Sequence, residues 1–72
     1  MKLIRSDMIR GASYDSKKQT LTVVFTNYDF YKFYGVSKSL VRRLYSAKSK
    51  GKFFNKEIKN KFPFKRIGEY HG

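Results

Sequence analysis

Apolar side chains recur at every second residue from Met8 to Tyr34, and from Leu40 onward they recur at helical spacing. That change of period constrains the fold more than any other feature, because a two-residue repeat lines one face of a strand and a 3.6-residue repeat lines one face of a helix. Met8, Ala12 and Tyr14 share one parity, as do Leu21, Val23 and Phe25, and then Tyr31 and Phe33. The β-branched and aromatic residues on these positions favour strands. Turn residues separate the runs at Asp15-Ser16-Lys17-Lys18-Gln19 and at Thr26-Asn27-Tyr28-Asp29. Three antiparallel strands are therefore expected.

The pattern also predicts register. Pairing around Lys17-Lys18 sets Tyr14 opposite Leu21 and Ala12 opposite Val23. A three-residue loop at Asn27-Tyr28-Asp29 sets Phe25 opposite Tyr31 and Val23 opposite Phe33. A two-residue loop would instead carry Lys32 into the core, where an unpaired charge is costly. The far face of the sheet is then expected to show Ile9, Gly11, Thr22, Val24, Phe30, Lys32 and Tyr34.

After Gly35-Val36, Ser37 has the chemistry of a helix N-cap. Leu40, Val41, Leu44, Tyr45 and Ala47 form an apolar stripe, with Lys38, Arg42, Arg43 and Ser46 outside it. Ser49-Lys50-Gly51 interrupts the pattern, and Phe53, Phe54 and Ile58 begin a second short stripe. Pro63 ends that helix. Phe62 and Phe64 are expected to fold back onto the core, and residues 68–72 to fray. The expected class is α+β, a three-stranded antiparallel sheet followed by two short helices packed on one face. It forms a single domain over residues 1–72 with its core at about 6–67.

Seventeen Lys and Arg face five Asp and Glu, giving a formal net charge of +12 over 72 residues. Self-repulsion on this scale opposes compaction, and a polyanionic partner relieves it. Nucleic acid is the first such partner, an anionic membrane surface the second and an acidic protein the third. Basic composition also arises without any partner, as a solubility device. No run approaches the length of a membrane span and no targeting segment is visible, so a cytoplasmic site without membrane association is expected. The chain has no cysteine, one histidine near its end and only scattered carboxylates. No acid–base pair, activated nucleophile or metal-ligand set follows from such residues. The expected protein is not an enzyme and takes no metal or cofactor.

Three features offer binding chemistry. Lys48, Ser49, Lys50, Gly51 and Lys52 open the second helix, whose free amides and partial positive charge suit a phosphate. The plainer reading, compatible with this, is that Ser49 caps the helix and Gly51 permits the turn. On the far face of the sheet, Phe30, Lys32 and Tyr34 combine rings with a cation, as a base-stacking surface does; equally, these rings can pack beneath a loop or in a dimer. Arg42 and Arg43 belong to a run of helix cations with almost no acid between them, which steers anions.

The segments Tyr31-Lys32-Phe33-Tyr34-Gly35-Val36, Ala47-Lys48-Ser49-Lys50-Gly51-Lys52-Phe53-Phe54-Asn55 and Phe62-Pro63-Phe64-Lys65-Arg66 resemble the KTSC domain, as does Tyr14-Asp15 followed by Thr20-Leu21-Thr22-Val23-Val24-Phe25. The resemblance runs from about Ser6 to Ile67. That family takes its name from a segment at the C-terminus of some lysyl-tRNA synthetases and also occurs as short stand-alone proteins of bacteria and phages. The resemblance implies a nucleic-acid-binding role and no aminoacylation. The expected function is a small basic module that contacts phosphates of RNA or DNA, with a regulator that binds a host protein as the alternative.

Overall fold

The computed structural model describes the backbone of residues 2–3 and 8–69 and the side chains of residues 8–68. Strands β1 (Lys2–Leu3), β2 (Ile9–Asp15), β3 (Thr20–Phe25) and β4 (Asp29–Tyr34) precede helices α1 (Lys38–Ser46) and α2 (Lys50–Glu57), and β5 (Phe64–Glu69) closes the chain. All strands pair antiparallel with their sequence neighbours, in the order β1-β2-β3-β4-β5.

The sheet thus has four long strands and a two-residue strand at its edge, a correction to the three expected. The added long strand is β5, which returns from α2 to pair along β4. Pro63 has no N–H to offer a ladder, but its carbonyl accepts from Tyr34 N at 2.9 Å and brings the chain into register. Phe62 packs against the core as expected. Phe64 does not fold into it, since its side chain stands 55% exposed beside Phe33. β5 continues through Gly68 and Glu69, opposite Phe30 and Asp29, where fraying was expected. Residues 70–72 lie outside the described residues.

The first hairpin has the anticipated register, with Tyr14 opposite Leu21 and Ala12 opposite Val23. The second is displaced. Leu21 faces Phe33 and Val23 faces Tyr31, two positions from the expected partners. The loop still has an odd length, but it is Thr26-Asn27-Tyr28, closed by a bond from Tyr28 N to Phe25 O at 2.8 Å. Tyr28 adopts φ +68°, a left-handed conformation that the sequence did not advertise. A shift of two positions keeps every side chain on its intended face, so the core is unaffected.

A bulge at Arg10 corrects a second expectation. Ile9 pairs with Phe25 and Gly11 with Val24, leaving Arg10 unmatched. The extra residue swings Ile9 off the far face into the core, where it is fully buried. Ile9, Ala12, Leu21, Val23 and Phe33 from the sheet meet Val36, Val41, Leu44, Phe54 and Ile58 from the helical side. Both helices accordingly cover one face. Ser37 caps α1 as anticipated, its hydroxyl accepting from Leu40 N at 3.2 Å.

Candidate nucleic-acid interface

The few described carboxylates are already engaged. Asp15 accepts from the backbone amides of Lys17 and Lys18 and so shapes the first turn. Asp29 pairs with Arg66 at 2.8 Å and Glu57 with Lys61 at 3.4 Å. The remaining cations therefore set a field of one sign.

At the α1–α2 turn, the first turn of α2 contains Lys50 and Lys52 and no acid. The helix dipole favours the opposite arrangement, with anions at an N-terminus. Ser49 occupies the N-cap in extended conformation, but its side chain makes no capping bond. The plain capping role for Ser49 is thus corrected: the hydroxyl does not close the helix. The first intrahelical bond runs from Phe53 N to Ser49 O at 3.0 Å, so the amides of Lys50, Gly51 and Lys52 have no acceptor within α2.

Each site residue of the turn has a distinct position. Lys48 and Lys52 are exposed. Lys50 bends back, its ammonium donating to Ala47 O at 3.0 Å and satisfying the end of α1. Arg43 reaches across to α2, its guanidinium 5.4 Å from the Phe53 ring centroid. Arg42 stands at the adjacent exposed position of α1. Lys32 and Tyr34 are not part of this cluster, because they project from the opposite face of the sheet.

That far face is ordered in rungs. Ser13, Thr22, Lys32 and Lys65 stand side by side across four strands, and Asp15, Thr20 and Tyr34 form the next rung. Tyr34 is 38% exposed. Phe30 is half-buried further along, beyond Lys32. Lys65 was missed in the sequence because its neighbourhood follows from β5, which was not expected.

A second feature was missed for the same reason. On the helical side, near the β3–β4 turn, a groove of about 360 Å³ opens over Phe25, Tyr31, Phe33 and Phe64. The Tyr31 and Phe64 ring centroids lie 5.7 Å apart, and those of Phe25 and Tyr31 5.4 Å. Asn27, Asp29 and Lys59 border it.

Residues 5–62 match the family model of the KTSC domain. The chain belongs to the KTSC domain family. A crystal structure of a KTSC domain protein from Yersinia pestis superposes with a TM-score of 0.90 at 33% identity, over 93% of this chain and 94% of that one. The chain is also 42% identical over 60 residues to a lysine–tRNA ligase of Nostoc punctiforme and 36% identical over 59 residues to one of Trichormus variabilis. These alignments cover 83% and 82% of this chain but 11% and 10% of the ligases. This KTSC chain therefore corresponds to a small segment of those enzymes. Among the described residues, no helix is long and apolar enough to cross a membrane, and no group of three or more His, Cys, Asp or Glu is placed to hold a metal.

Proposed function

We propose that this KTSC protein binds RNA or DNA through the phosphate backbone, without catalysis, and that the α1–α2 turn is its principal contact. The observation that carries this reading is the first turn of α2, where lysines stand at the positive end of a helix with no acid among them. That arrangement is unfavourable in the free protein and becomes favourable when an anion sits between the ammonium groups and the amides of Lys50, Gly51 and Lys52. Lys48, Lys52, Arg42 and Arg43 supply charge. Lys50 is the exception, because its hydrogen bond to Ala47 gives it a structural task. Kinship with a segment of lysine–tRNA ligases adds a context in which RNA is the partner.

Lys32 and Tyr34 form a second contact on the far face, reached by a strand that wraps the edge of the sheet. Nothing in either surface reads base identity, so affinity is expected to vary little with sequence. Fluorescence anisotropy with labelled single-stranded RNA, single-stranded DNA and duplex DNA at low salt tests the proposal. Saturable binding to at least one of them is the expected result. Absence of binding to all three removes the proposal and leaves a protein partner as the better reading.

A further inference from the structure

We infer that the aromatic groove seats an unpaired nucleobase, which makes single-stranded nucleic acid the ligand class; this rests on the polyanion reading above. The groove is apolar at its floor and polar at its rim, as a base is apolar on its faces and polar along its edge. Phe64 is the decisive residue. Its ring stands 55% exposed on β5, yet it is held in place by Tyr31 and Phe33, at centroid distances of 5.7 and 5.6 Å. A large ring fixed on an open surface offers a stacking platform with little entropy left to lose.

Charge selects the occupant. Lys52 and Lys56 stand four residues apart on α2, on one side of the helix, and Lys59, two residues past its end, lies at the border of the groove. All three are exposed. Lys52 and Lys56 are separated by about 6 Å at the rise of a helix. The stripe therefore leads from the α1–α2 turn to the groove. A strand whose phosphates follow Lys52, Lys56 and Lys59 delivers a base to Phe64. An uncharged apolar ligand would use the floor and leave the stripe unused. A duplex would use the stripe and leave the floor empty, because its bases are paired and stacked. The Asp29 carboxylate does not repel the strand from the rim, since Arg66 neutralises it at 2.8 Å and it also accepts from Asn27 at 3.2 Å.

The test compares three probes of equal phosphate number on the full chain: a single strand, an abasic single strand and a duplex. The single strand is expected to bind about tenfold more tightly than the other two. Phe64→Leu keeps an apolar side chain against Phe33 but removes the π face, and it should abolish that preference without changing the salt dependence. Phe64→Tyr should retain the preference, and circular dichroism shows whether each variant is folded. Equal affinity for all three probes, or an unchanged preference in a folded Phe64→Leu protein, overturns the groove and leaves backbone binding standing. Failure of every probe to bind overturns the polyanion reading itself, and the groove with it.

Discussion

Lys32 on β4 and Lys65 on β5 are directly opposed across the sheet, on the face turned away from the helices. Like charges in this relation are destabilising by a few tenths of a kcal/mol to about 1 kcal/mol. Lys65→Gln should therefore raise the free energy of unfolding by a few tenths of a kcal/mol in urea titrations at low salt, with a smaller gain at high salt. The same change should weaken binding to an oligonucleotide. A more stable protein that binds less well would mark the pair as kept for an anion. Loss of stability would mean the two ammonium groups do not interact as their register implies.

The core makes a second expectation quantitative. Leu44 is fully buried among Val23, Phe33 and Phe54 in a small domain. Leu44→Ala should cost about 2–4 kcal/mol, against less than about 0.5 kcal/mol for Arg42→Ala on the exposed side of the same helix. Thermal melts that rank the two the other way would contradict the assignment of the helix faces.

Gly35 separates backbone conformation from packing. It adopts φ +76°, and a Cβ at that position would meet nothing within 4 Å. Gly35→Ala should still destabilise the protein by about 1–2 kcal/mol, because the cost lies in the left-handed backbone. A neutral result in a denaturant titration would show that the β4–α1 connection relaxes to another conformation.

Most of the β-sheet half was legible because alternation is a direct consequence of strand geometry. The faces of Leu21, Val23, Tyr31 and Phe33 follow from parity alone. Register at the second turn does not, because Asn27-Tyr28-Asp29 and Thr26-Asn27-Tyr28 are both three-residue loops. The choice rests on Tyr28 accepting φ +68°, in a turn that Asn27 braces by accepting from Asp29 N at 3.0 Å, while the Arg10 guanidinium lies 4.7 Å from the Tyr28 ring centroid. The bulge at Arg10 was equally silent, and it cost the placement of Ile9. β5 was hidden because Pro63 and Gly68 bracket a run with only four residues between them. With β5 missing, the position of Lys65 beside Lys32 and the groove at Phe64 were out of reach. The cluster at Lys48, Lys50 and Lys52 was visible as a motif, but only the structure separates Lys50, tied to Ala47, from Lys52.

Tyr45 gives a pH dependence. Burial raises its phenol above its ordinary value of 10.0. The unfolded chain then ionises first as pH rises, so it holds fewer protons than the fold and stability falls above about pH 10. Below that range the phenol is protonated in both states and stability does not depend on it. Tyr45→Phe should remove this part of the alkaline decline, seen as a shallower slope of unfolding free energy above about pH 10 than in the parent protein. An identical slope in both would show that Tyr45 is as solvated in the fold as outside it.

The cations at the start of α2 carry the proposed contact, and the salt dependence of binding reports them most directly. With about four to six phosphates neutralised, a plot of log affinity against log salt should be linear with a slope of about −3 to −5. Lys48→Gln with Lys52→Gln removes two charges from the turn while sparing the Lys50 bond to Ala47. This pair should lower affinity about tenfold or more and flatten the slope by roughly one to two units. Lys17→Gln with Lys18→Gln removes the same charge from the β2–β3 turn, beside the second contact at Lys32 and Tyr34, and should lower affinity and flatten the slope less than the Lys48 and Lys52 pair does. Equal losses from the two double variants would contradict a localised contact, and would leave only the diffuse charge of the protein holding the nucleic acid.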